Sequence, residues 1–178
     1  MIEDDDRPTS PFNSPVECGV RAMVLLSASS PVGCDLHRLV IYDYLLVHSG
    51  DVPADVVARL TSLNDHPESL HPPTPHRVGE LLVRRATLAA GLRLLMTKGL
   101  VKPRFGSDGI SYVTTELSQL FLEVVESEYV RALRERGRWV VSVFSKMADE
   151  DLTGFANRHL RDWGGEFVNE SLLRGRTS

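Results

Sequence analysis

The sequence predicts a mainly α fold, a winged helix-turn-helix (helices plus a small β-hairpin wing) with a helical extension at its C-terminal end. Two observations carry this prediction. Apolar residues recur at helical spacing over most of the chain. The exception follows Gly99, where Leu100-Val101-Lys102-Pro103-Arg104-Phe105 and Ile110-Ser111-Tyr112-Val113-Thr114 are extended runs around the turn signal Gly106-Ser107-Asp108-Gly109. A helix that runs straight into a hairpin is the order of a winged helix.

Taken in order, residues 1–13 read as a disordered acidic tail, since Pro8 and Pro11 break any helix. Ser14-Pro15-Val16-Glu17 is a helix start, with Ser14 as N-cap, Pro15 at the first helical position and Glu17 as the capping-box acid. Val20, Met23, Val24 and Ser27 continue one face, and Pro31-Val32-Gly33 stops the helix. Asp35 caps a second helix, Leu36 to His48, whose apolar residues cover most of its circumference, so it is buried on more than one side. Gly50 ends it. A short helix is expected over Ala54 to Leu63, followed by a long loop in which four prolines forbid helix and central strand alike. Helix resumes at Arg77 and runs to Lys98, with Leu88, Leu92, Leu95 and Met96 inward and Gly99 as its stop. After the hairpin, Thr115 opens a helix to Val125 with Leu117, Leu120, Phe121 and Val124 on one face. Tyr129 to Met147 is a long amphipathic helix with Val130, Leu133, Val140, Val141 and Phe144 inward. Asp149 caps a last helix, Leu152 to Trp163, ended by Gly164-Gly165. The domains are then the tail over 1–13, a winged-helix domain over 14–114 with a Pro/His loop at 51–76, and the extension over 115–178.

The bulk numbers restrict function. The chain has 178 residues, 42% hydrophobic and 25% charged, an ordinary globular balance. Its formal net charge is -4. A free-standing DNA binder usually carries a basic excess, because phosphate contacts dominate its affinity. Any nucleic-acid role must therefore come from a local patch or a larger complex. Cys18 and Cys34 lack CxxC spacing and read as reduced structural residues. No signal peptide is predicted, and no apolar run reaches the roughly 20 residues that a membrane span needs, so the expectation is a cytoplasmic protein with no membrane partner.

Enzyme signatures are missing. There is no GxSxG elbow, no GxxxxGK[ST] phosphate loop, no GxGxxG fingerprint and no HExxH helix. His48, His66, His71 and His76 surround the proline-rich loop, but their spacing fits no zinc template. The expectation is no catalytic residue, no metal, no cofactor and no small-molecule substrate. The candidate nucleic-acid contacts are Arg84, Arg85, Arg93, Lys98, Lys102 and Arg104, on the helix before the wing and on the wing itself. The alternative is that these cations form the solvated face of an amphipathic helix. Asp43, inside an apolar helix, needs a partner, which Arg38 or a backbone amide could supply. Trp163-Gly164-Gly165-Glu166-Phe167 either anchors an interface or seals the core.

Five stretches together carry a family resemblance: Phe12-Asn13-Ser14-Pro15-Val16-Glu17; Asp35-Leu36-His37-Arg38-Leu39-Val40; Tyr42-Asp43-Tyr44-Leu45-Leu46-Val47-His48-Ser49-Gly50-Asp51; Ser69-Leu70-His71-Pro72-Pro73-Thr74-Pro75-His76-Arg77 with Gly79-Glu80-Leu81-Leu82-Val83-Arg84-Arg85; and Trp163-Gly164-Gly165-Glu166-Phe167. The chain resembles the small middle component, second subtype, of ABC-ATPase three-component systems. The segment 52–67 is longer than the family pattern. The resemblance implies a winged-helix subunit of a bacterial anti-phage or anti-plasmid defence similar to the Lamassu type. Its partners would be an ABC ATPase of the SMC and Rad50 class and an effector from the same operon, with DNA reached through the complex. Partner contacts are expected at His71, Pro73, His76, Arg77, Trp163 and Phe167. The rival reading is a stand-alone winged-helix transcription regulator, and a distant third is a hydrolase using the histidine loop.

Overall fold

The computed structural model describes residues 14–60, 67–71, 80–125 and 127–159. Among them are seven α-helices and one two-stranded sheet. The mainly helical class with a small antiparallel hairpin is the one the sequence predicts. The tail over 1–13 and the Trp163 segment lie outside the described residues.

Helix α1 (Pro15–Ser29) starts as predicted, with Ser14 Oγ accepting the Glu17 amide at 3.2 Å. Glu17 does not complete a capping box; its carboxylate turns to Arg21 instead. Helix α2 (Leu36–Val47) is capped by Asp35, whose Oδ1 accepts the Arg38 amide at 2.7 Å. Every residue from Leu39 to Ser49 is buried, so α2 is the axle of the core. A tight turn, Ser49–Asp51, leads to α3 (Ala54–Leu60). The expected end of that helix, at Leu63, lies outside the described residues.

Helix α4 (Glu80–Thr97) lies against α1 at very short range. A Cβ on Gly91 would come within 2.6 Å of the Pro15 carbonyl oxygen and 2.7 Å of the Gly19 nitrogen. Two glycines facing each other let the helix backbones touch, and no larger residue fits at Gly91. The end of α4 is a Schellman turn: Gly99 takes φ +70°, its amide reaches Met96 O at 3.0 Å, and the Leu100 amide reaches Leu95 O at 2.9 Å. Leu95 and Leu100 are both buried, which supplies the hydrophobic contact of that motif.

Strands β1 (Val101–Gly106) and β2 (Gly109–Thr114) pair antiparallel, from Val101 opposite Thr114 to Gly106 opposite Gly109. The turn is therefore the two residues Ser107 and Asp108, tighter than the four-residue signal suggests. Cys34, just before α2, bridges to Tyr112 with both backbone hydrogen bonds, at 3.1 and 2.8 Å, and so extends the hairpin by one partner.

Helix α5 (Glu116–Val124) begins in a reciprocal capping box between Thr115 and Ser118. Only Ser118 and Leu122 are buried in it. Leu117, Leu120, Phe121 and Val124 share one face as the spacing predicts, but that face looks outward: they are 50%, 58%, 39% and 81% exposed. Helix α6 (Glu128–Phe144) packs on α1 and α2 through Val130, Leu133, Gly137, Val140 and Phe144, inside the same core. Helix α7 (Asp149–His159) begins at Asp149 itself, so that residue is the first helical one and not the cap. Its carboxylate is held by Arg38 at 2.5 Å.

Candidate functional site

The structure sorts the candidate residues by burial, beginning with Asp43. Residues 38 and 43 are about 140° apart around α2 at 100° per residue, so Arg38 cannot turn to Asp43. It reaches instead to Asp149, Tyr42 and the carbonyls of Phe144 and Met147, tying the end of α6 to the start of α7. The partners of Asp43 come from two other helices. Arg21 Nε of α1 donates to Oδ1 at 2.6 Å, and Arg84 Nη1 of α4 donates to Oδ2 at 2.5 Å. All three side chains are sealed from solvent. Glu17 Oε1 takes a further Arg21 bond at 3.0 Å, which adds a second carboxylate to the cluster.

This cluster explains itself electrostatically. Burial alone would raise the Asp43 carboxyl, but the two guanidinium groups overcome that and hold it below the usual carboxylate range. Arg21 is desolvated as well, yet Asp43 keeps it firmly charged. The Cys18 thiol beside them is pushed up to about 11 by burial and by Asp43, which makes it a protonated, inert packing group. Burial raises Cys34 too.

Arg84 is therefore a correction to the nucleic-acid set. It was expected at the surface beside Arg85, but it is 2% exposed and engaged with Asp43, with its guanidinium 5.8 Å from the Tyr44 ring centre. A side chain in that position reaches no phosphate. Arg85 is half-buried, while Arg93 and Lys98 of α4 and Lys102 and Arg104 of β1 are exposed. Arg104 also donates to the Pro31 carbonyl at 3.3 Å. The solvent-facing cations thus flank the junction where α4 passes through Gly99 into β1. Next to the hairpin turn an apolar pair is exposed, with Phe105 75% exposed opposite Ile110.

Of the expected partner contacts, His71 alone lies among the described residues; Pro73, His76, Arg77, Trp163 and Phe167 fall outside them. The segment 67–71 is held against α2 and α6 by hydrogen bonds on both sides of Ser69. The amides of Leu70 and His71 both reach Val47 O at 2.9 and 3.1 Å, and Glu68 O accepts from Ser49 and from Arg136. The His71 ring lies 3.4 Å from the Tyr129 hydroxyl, which itself donates to Glu17 at 2.7 Å. Burial, then Arg21, lower the His71 pKa and favour the neutral ring. The hydrogen bonds of Glu17 thus join His71, by way of Tyr129, to the Asp43 cluster. Among the described residues no three His, Cys, Asp or Glu side chains converge as a metal set.

A second feature escaped the sequence reading. The exposed face of α5 forms one wall of a groove of about 600 Å³ whose other walls are α1 and α4. Val16, Leu94, Leu117, Leu120, Phe121 and Val124 are its exposed apolar residues, and Lys98 is the charged side chain in its lining. The signal was present as excess: Leu122 on one side of a nine-residue helix and four apolar residues on the other leave α5 too apolar for the one face it buries.

No described helix is long and apolar enough to cross a membrane. The chain matches a family model over residues 11–166, that of the ABC-three component (ABC-3C) system Middle Component 2. No curated protein and no solved structure matches it.

Proposed function

The chain belongs to the Middle Component 2 family of ABC-three component systems, and from that membership we propose that it acts as a non-catalytic winged-helix adaptor. In this reading it seats on an SMC- and Rad50-like ABC ATPase, alongside an effector from the same operon, in a Lamassu-like anti-phage or anti-plasmid complex. The observation that carries the adaptor reading is the run from α4 through Gly99 into the β1–β2 hairpin, with Cys34 adding a third backbone partner. That order of helix, tight stop and bridged hairpin supports the winged-helix reading. Its exposed cations, Arg93, Lys98, Lys102 and Arg104, are few. With a net charge of -4 behind them they suit a subunit that adds phosphate contacts to those of a larger partner. The segment 67–71, fixed by backbone hydrogen bonds, is the described start of the contact element that includes His71.

Co-expression with the ATPase of its own operon tests this. The two should elute together from gel filtration at micromolar concentration and hold duplex DNA. The chain alone should bind DNA weakly, with affinity falling steeply as salt rises. Separate elution of the two proteins would refute the adaptor. Tight binding of the lone chain to one defined operator at physiological salt would replace it with the transcription-regulator reading.

A further inference from the structure

We propose that the groove between α1, α4 and α5 receives an amphipathic α-helix of the companion ATPase, one that presents an apolar stripe with a carboxylate on the flank facing Lys98. The inference rests on the multi-subunit reading above and says where, and by what kind of element, contact is made.

Three observations define the occupant. The first is exposure. Val16, Leu117, Leu120 and Val124 are each half or more exposed, and Leu94 and Phe121 more than a third, in one continuous concavity. Scattered surface leucines need no explanation, but a contiguous apolar patch does, and marks a contact surface. The second is the near absence of polar groups. Lys98 is the charged residue of the lining, and the other side chains there are aliphatic, aromatic or thioether. An extended peptide laid in such a groove would bury its N–H and C=O groups without partners, each an uncompensated loss. A helix satisfies its own backbone and presents only side chains, so it is the element that fits. The span agrees, because Leu117 to Val124 cover about 10 Å at 1.5 Å per residue, matching two turns of a partner helix.

The third observation is charge. Around α5 the apolar residues are flanked on the outer side by Glu116 and Glu123, both exposed, while Lys98 and, further round, Arg93 stand on the α4 side. The groove is thus cationic along one rim and acidic along the other, which orients an asymmetric guest. The same pattern argues against an antiparallel pair of two copies of this chain. Pairing two α5 helices antiparallel about a two-fold axis would bring like flanks together, setting Glu116 and Glu123 of one copy beside those of the other. A companion subunit carries no such constraint.

The test uses the full chain and the ATPase of its operon. Leu120→Glu with Val124→Glu places two carboxylates in the groove at exposed positions, and the unfolding midpoint of the variant should equal that of the wild type. Its affinity for the ATPase should fall about a hundredfold, as loss of a central apolar anchor does. Lys98→Glu should weaken the complex about tenfold and leave stability unchanged. A photo-crosslinker at position 120 should label companion residues spaced three or four apart. A folded double variant that binds as tightly as wild type would overturn the proposal, as would labels spaced two apart or a wild-type homodimer that the double variant breaks. If the wild type itself fails to bind the ATPase, the adaptor reading falls first and this inference with it; if only the variants are indifferent, the adaptor stands and the groove does not.

Discussion

Asp43 is 0% exposed and Val124 is 81% exposed, and each has the chemistry ordinarily found at the other's position. Asp43 sits on the most deeply buried helix with two arginines around it. Val124 ends a helix whose apolar side faces water. The buried cluster is closed to water at Asp43, Arg21 and Arg84, and with Glu17 its ion pairs tie α1, α2 and α4 together at one point. The α5 face is open, with an apolar surface and no element of this chain described over it. What separates them is where the partner lies. The ion pairs find theirs within the chain, so they hold the fold. The apolar stripe finds none within the described chain, so it is available for assembly.

That contrast breaks most severely at Asp43. Asp43→Asn removes the buried carboxylate that Arg21 and Arg84 share, and removing one member of a buried pair costs about 3–5 kcal/mol. Against a total stability of roughly 5–15 kcal/mol, urea or thermal unfolding should show a protein at the edge of folding. Acid should reproduce the effect in part. Because the folded-state pKa of Asp43 is depressed below 3.8, the unfolded chain takes up the proton more readily. The stability from this group is therefore whole above 3.8 and is lost as pH falls from there through the folded pKa. A denaturation series from pH 6 to pH 2 reads this, and Asp43→Asn should flatten that part of the curve.

A smaller loss is expected where the same two helices touch through backbone alone. Gly91→Ala gains about 1 kcal/mol of helix propensity. It also drives a Cβ to 2.6 Å from the Pro15 oxygen and 2.7 Å from the Gly19 nitrogen, neither of which can rotate away. With rigid backbone on both sides, overpacking should fall in the upper part of its usual range, about 2–3 kcal/mol, for a net loss of about 1–2 kcal/mol in chemical denaturation. A Gly91→Ala protein as stable as wild type would mean that α1 and α4 can separate freely, and that the Asp43 cluster does not fix their distance.

The elements were legible in the sequence because their signals are local. Ser14 and Asp35 cap the helices they were expected to cap, and Gly99 stops α4 with the positive φ its position requires. The hairpin follows where the spacing changes from helical to extended. The environments were less legible because they depend on partners far along the chain. Arg84 and Arg85 are adjacent and identical in type, and what buries the first is a carboxylate 41 residues away. Arg38 looked like the partner of Asp43 because it is near in sequence, yet helix geometry turns it toward Asp149, 111 residues on. Leu117, Leu120, Phe121 and Val124 have the spacing of a core face, and nothing in that spacing says whether the covering element belongs to the same chain.

Backbone hydrogen exchange in the isolated chain and in its complex with the ATPase compares the two regions directly. The closed cluster should be indifferent to assembly, so amides of α2 from Leu39 to Val47 should exchange equally slowly in both states. The open face should not be, and amides of Leu117 to Val124 should slow at least about tenfold on binding, since docking stabilises the local structure that must open for exchange. Unchanged exchange in α5, with protection confined to other helices of a complex that has formed, would contradict the assignment of this face to assembly.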